Sequence, residues 1–315
     1  MKGKKWIIVL AGAVVTVLLL RGFVFTSYII PSSGMENSLY QGDRIIVNKW
    51  SYGLRLPCMS LLSYHRWNSR PVKSGDIVVF NNPVSLSQPV IDRRQTFISR
   101  CIATPGEEII LDSLYNPTAS IEKAGPDRKQ LYSYPKEKGR TMDSLLQVLA
   151  LTGNELMGKN EHEYVRSFSR YEMYLLEQAI TNISWILPLQ SISEENLKTI
   201  TIPAQGKTVK IHPWSAMLYC NTLVLHEDIR AEVKNDSLYI NGKPVTEYTF
   251  TKDYYWMASN NSINLADSRL FGLVPHDHII GRATFVWFSK EPHTGLFDGY
   301  RWNRFFRRQG AAAGF

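Results

Sequence analysis

The residues best equipped for chemistry are scattered. Of seven histidines, His65, His162, His212, His226, His276, His278 and His293, only His276 and His278 lie close together, with Asp277 between them. That triplet invites a metal reading, but no third convergent ligand stands nearby, so no metal is expected. Cys58, Cys101 and Cys220 are too widely spaced for a Cys-x-x-Cys pair or a disulfide framework. No His-Glu-x-x-His and no phosphate-cradling glycine loop occurs, so no cofactor is expected either. Arg94 and Arg100 stay protonated and cannot serve as general bases. At the C-terminal end Arg301, Arg304, Arg307 and Arg308 are interleaved with Trp302, Phe305 and Phe306. Such a pattern suits nucleic acid, lipid headgroups or a merely solvated terminus.

The elements that must position these groups begin with an apolar run. Trp6 to Leu20 is uncharged, and apolar character resumes after Arg21. Residues 6–26 are long enough to span a bilayer core of roughly 30 Å, with Arg21 near the far interface. Lys2, Lys4 and Lys5 precede the run, which predicts a cytoplasmic segment 1–5 and an extracytoplasmic remainder. A cleaved signal and a buried soluble helix are the alternatives; no small-x-small site follows the apolar core. A location outside the cytoplasm argues against nucleic acid as a partner for the basic tail, residues 291–315.

Beyond the anchor, the 315 residues carry 36 Lys and Arg against 28 Asp and Glu, a net charge of +8, and 44% hydrophobic residues. This excludes a disordered or collagen-like chain. Ile45–Val47 and Ile77–Phe80 read as strands, each after a Gly-Asp turn. Thr96 to Ile102 reads as a strand stopped by Pro105-Gly106. Residues 53–68 read as a loop or surface hairpin, and the patch Trp50, Tyr52, Leu54 and Leu56 as either core or membrane-facing surface. Residues 113–200 change texture, with a helix capped by Thr141 and another from about Ser167 to Ile180. Strands return at Val209–Ile211, Ser237–Ile240, Lys243–Val245 and Ala283–Phe288, the middle two joined by an Asn241-Gly242 turn. The expected fold is mainly β: a core of 27–112 and 201–290 with a partly helical insertion, 113–200.

Four blocks in order resemble the bacterial type I signal peptidases. They are Ile30–Leu39 running into Gly42–Lys49, Gly75–Phe80, Phe97–Glu107, and Tyr255–Pro275. The Tyr-Ile-Asn-Gly-Lys hairpin and the Asp-Tyr-Tyr-Trp-Met run are similar to the Bacteroides-like branch. The resemblance implies a membrane-anchored serine protease with a Ser–Lys dyad, in which a hydroxyl attacks and a desolvated neutral amine takes its proton.

Transferred residue by residue, the family's nucleophile position is Gly34, immediately before Met35, and its base position is Ser99, immediately before Arg100. Glycine offers no attacking oxygen, and a serine hydroxyl cannot replace an amine. The serine that helps hold the family's base corresponds to Leu265. Ser259-Asn260-Asn261-Ser262 stands where the family has Gly-Asp-Asn-Arg. Asn264, Asp267, Ser268, Arg269 and Gly272 match, and Ser32 matches the hydroxyl thought to steady the oxyanion. Ser33 is the one substitute nucleophile near Gly34, with Lys49 and Lys73 the nearest amines in sequence.

Three functions follow as expectations. The first is a non-catalytic homologue at the cytoplasmic membrane that binds preproteins, membrane lipid, envelope partners or an active paralogue. The second is an active signal peptidase using a displaced dyad. The third is an unrelated anchored structural protein.

Overall fold

The computed structural model describes residues 2–57, 59–85, 87–112, 115, 117, 129–151, 154, 156–180, 183–189, 197–261 and 266–309. The N-terminal run is a helix, Lys2–Phe23, whose Trp6–Phe23 stretch is long and apolar enough to cross a membrane. None of that stretch is buried against protein, and a helix apolar on every side matches a lipid surrounding. The helix ends at Phe23, before the expected end of the span at residue 26. Phe25–Ile29, rich in aromatic and β-branched residues, is already a strand paired with Asp43–Asn48.

The main sheet is antiparallel, in the order Phe25–Ile29, Asp43–Asn48, Ile279–Ser289, Ile77–Asn81, Thr96–Ala103, Tyr254–Ala258, Val274–Pro275. Arg307–Arg308 pairs with Ile279–Ser289 as an additional short strand. The long 279–289 strand pairs with 77–81 at its start and with 43–48 along the rest, with register shifts that bend it. Ile77 to Phe80 is buried throughout. Ile77 and Val79 enter one cluster with Ile30, Met35, Leu39 and Val286, whereas Val78 and Phe80 enter another with Tyr52, Cys101 and Met257. A four-residue apolar run is thus the mark of a strand covered on both faces. Tyr52 and Leu54 belong to the buried core and Trp50 is exposed, which divides the expected aromatic patch.

The middle of the chain is more β-rich, and the rest more helical, than expected. Ser167 to Ser169 are strand, not helix: Glu163–Ser169 pairs with Lys129–Pro135 and with Leu156–Lys159. The helix starts only at Arg170, where Ser169 and Glu172 form a reciprocal capping box, and runs to Ala179. Thr141 lies inside the helix Gly139–Val148 and does not cap it. Leu187–Pro188 completes a four-stranded sheet with its own apolar cluster of Tyr134, Met142, Phe168, Leu176 and Ile186. Glu108–Leu111 and Lys198–Thr201 pair as a separate two-stranded sheet.

The helix Ala216–His226 escaped the reading because it is apolar on several sides. It packs among Ile102, Ile200, Val209, Leu238, Phe250 and Trp256, and its exposed face carries Met217 and Val224, so no polar stripe betrays its period. The described residues therefore form a mixed β/α domain with a curled sheet, behind one apolar helix. The hairpin turn is as expected: Asn241 and Gly242 both have positive φ, at 50° and 78°. Gly42, at φ 88°, also has no room for a side chain, because a Cβ would strike the Lys290 carbonyl.

Candidate functional site

The Ser33–Met35 segment is a single 3₁₀ turn entered from extended backbone at Ser32. Met35 and Leu39 anchor it from below in the cluster with Ile30, Ile45 and Val47. This presses the turn against the 96–103 strand, bringing together the segments that carry Gly34 and Ser99. Gly34 is buried, Ser33 half-buried and Ser32 exposed. Ser99 has no solvent exposure, and its hydroxyl donates a long 3.4 Å bond to the Ala266 carbonyl.

The turn is fastened both by residues that match the family pattern and by Asn260, which looked like a departure from it. Asn261 donates its backbone N–H to the Gly34 carbonyl at 3.0 Å. Asn260 donates its side-chain amide to the Glu36 carbonyl at 3.0 Å and to the Ser38 hydroxyl at 2.9 Å. Arg100 donates to the same hydroxyl at 2.8 Å and to the Gly75 carbonyl at 3.0 Å. Asp267 accepts the Ser259 N–H and is forked by Arg269, while Ser268 accepts the Met257 N–H. Asn264 and Leu265 lie outside the described residues.

The structure gives the basic groups other tasks. Lys49 donates its ammonium to the carbonyls of Arg21 and Gly22, at the end of the N-terminal helix. Lys73 is exposed. Lys129, which the reading missed, is fully buried within 3.5 Å of Glu36 and 3.4 Å of Glu172. Nothing local flags it; only the insertion's return to the turn reveals it.

The C-terminal arginines are partly structural, against the reading of a solvated tail. Arg304 is buried, donating to Asp43 at 2.6 Å and to the Ser38 carbonyl at 3.0 Å. Gln309 donates to that same carbonyl, so both the hydroxyl and the carbonyl of Ser38 are clamped.

His278 is buried between Asp277, 2.6 Å from its Nδ1, and Arg94, 3.1 Å from its Nε2. Because a guanidinium only donates, Nε2 accepts and Nδ1 carries the proton towards Asp277. Burial lowers His278 and holds His226, whose ring lies edge-on to it, down at about 3. Burial alone would raise the Asp277 carboxyl; the hydrogen bond from His278 and the Lys252 ammonium bring it below its ordinary value.

Tyr254–Ala258 pairs with Arg100, Cys101 and Ala103, and among the described residues no strand continues along 96–99 on that side. Such an edge offers backbone groups to an extended peptide.

An apolar N-terminal helix leading into a curled sheet, with these blocks gathered at one turn, defines a membrane-anchored domain of peptidase type. Residues 3–165 and 247–288 match the family model "Signal peptidase, peptidase S26", and the chain belongs to that family. Signal peptidase I of Buchnera aphidicola (subsp. Schizaphis graminum) is 25% identical over 280 residues, covering 87% of this chain and 72% of the relative. Signal peptidase I of Helicobacter pylori (strain J99) is 22% identical, covering 88% and 80%. A probable signal peptidase I-1 of Synechocystis is 40% identical over 97 residues, 31% of this chain and 42% of its own length.

Proposed function

We propose that this protein is a membrane-anchored signal peptidase I homologue that binds preproteins or envelope partners without cleaving them by a Ser–Lys mechanism. The observation that carries the reading is the contrast at one turn. Gly34 and Ser99 sit on segments packed together and held by Asn260, Asn261 and Arg100, yet neither supplies the nucleophile or base. A backbone carbonyl-binding pocket needs only N–H donors and a hydroxyl such as that of Ser32, so binding survives the loss of chemistry. The 96–99 stretch, along which no described strand pairs on the side of Tyr254–Ala258, supports an extended peptide as the ligand.

In this reading residues 1–5 are cytoplasmic and the domain faces outward from the cytoplasmic membrane. The core comprises 27–112 and 201–290, with 113–200 as an insertion and 291–315 as the tail. Preproteins, lipid and an active paralogue are the partners, and nucleic acid is not. The hairpin at 237–245 supports placement in the Bacteroides-like branch.

The test incubates purified full-length protein in lipid with a preprotein bearing an Ala-x-Ala site, reading both cleavage and photo-crosslinking. Crosslinking without cleavage is expected. Cleavage abolished by Ser33→Ala would replace this reading with that of an active enzyme using a displaced nucleophile. Absence of crosslinking beyond that of the anchor helix alone would remove the binding reading. Gly34→Ser, Ser99→Lys and Leu265→Ser together then ask whether the pocket supports turnover once its chemistry is restored.

A further inference from the structure

The last carbonyls of a helix have no partners within it, and lipid tails offer them none. Here the folded domain supplies those partners. Val24 donates its N–H to the Leu20 carbonyl. The Arg21 carbonyl accepts from the Thr26 hydroxyl at 3.0 Å and from the Lys49 ammonium at 3.0 Å. The Gly22 carbonyl accepts from the same ammonium at 2.9 Å. Lys49 is engaged a third time, its backbone N–H donating to the Val24 carbonyl. A cation at this end is also favoured by the helix dipole.

The covalent connection is as tight as the polar one. The helix ends at Phe23 and the first strand begins at Phe25, leaving one residue between them. That strand pairs at once with the strand ending at Asn48, and Lys49 follows. No glycine- or proline-rich linker is available to absorb rotation.

We infer that Lys49 is a positioning residue that closes the final turn of the membrane helix and fixes the Ser33–Met35 turn at a set height above the bilayer. The five-residue strand between helix and site block spans about 17 Å. A rigid junction limits the site to peptide segments within roughly that reach of the membrane surface. The inference rests on the membrane-spanning reading of Trp6–Phe23; it does not depend on whether the turn binds a peptide.

The test uses full-length protein in lipid nanodiscs, with nitroxide labels on genetically encoded keto residues at Val14 and Lys210, both exposed. Pulsed electron resonance reads the distance distribution between helix and domain. Wild type is expected to show one narrow distribution. Lys49→Met should broaden it at least twofold while leaving the thermal unfolding of the domain in place. Lys49→Arg, which also donates to two carbonyls, should keep it narrow. A broad wild-type distribution overturns the inference without any variant. So does a Lys49→Met distribution that superimposes on wild type. If Lys49→Met fails to fold, Lys49→Gln is measured in its place, with the same outcomes deciding. No peptide is present, so failure here is distinct from failure of preprotein binding.

Discussion

The Lys129 ammonium lies 3.5 Å from the Glu36 carboxylate, two residues beyond Gly34; the lysine side chain is fully buried and the glutamate nearly so. Glu172, whose other oxygen serves the capping box at Ser169, lies 3.4 Å from the same ammonium. One lysine thus ties the 129–189 unit to the turn of the candidate site.

Removing that lysine strands two buried carboxylates. Lys129→Ala is expected to cost about 3–5 kcal/mol, because breaking a buried pair from one side leaves uncompensated charge. Urea denaturation measures the loss, and limited proteolysis should show earlier cutting within 129–189. Combining Lys129→Met with Glu36→Gln and Glu172→Gln should recover part of the stability. A single variant as stable as wild type would mean that the cluster holds nothing together.

Arg304 makes a second long-range tie, donating to Asp43 and to the Ser38 carbonyl while stacking 4.3 Å from the centre of the Tyr40 ring. Arg304→Lys keeps the charge but loses the planar fork, and should destabilise the domain by about 1–3 kcal/mol. Arg304→Ala should cost more, about 3–5 kcal/mol. Equal effects of the two variants would show that charge alone matters there.

The buried histidines make stability depend on acid. Burial holds His226 at about 3 and His276 at about 4, and lowers His278, all below the ordinary 6.5. The unfolded chain therefore binds more protons as pH falls below about 6.5. This contribution is whole above that pH and is lost progressively down to about 3–4. Denaturation midpoints at pH 7.5, 6, 5 and 4 should decline in that order, and His226→Phe should flatten the slope. A midpoint constant over this range would contradict the assignment.

Asn260 offers a smaller, local test. Asn260→Ala removes the donor shared by the Glu36 carbonyl and the Ser38 hydroxyl, and should cost about 1–3 kcal/mol. Amide exchange at residues 33–39 should rise more than elsewhere in the sheet.

Much of this architecture was legible before any coordinates. The apolar run at 6–20, the Gly-Asp turns before Ile45 and Ile77, and the Asn241-Gly242 hairpin each depend on neighbours within a few residues. Periodicity and turn chemistry encode such features locally. The reading of Gly34 and Ser99 as the family's two reacting positions comes from the resemblance in sequence order alone. Tertiary structure decided the rest. Ala216–His226 hides its period because Met217 and Val224 put apolar residues on its exposed face as well as its buried one, so no polar stripe announces it. Lys129 meets Glu36 across 93 residues, Arg304 meets Asp43 across 261, and Lys49 reaches the helix carbonyls 27 and 28 residues back. Long, flexible charged side chains have no periodic signature, and their partners are chosen only when the sheet closes and burial demands a counter-charge.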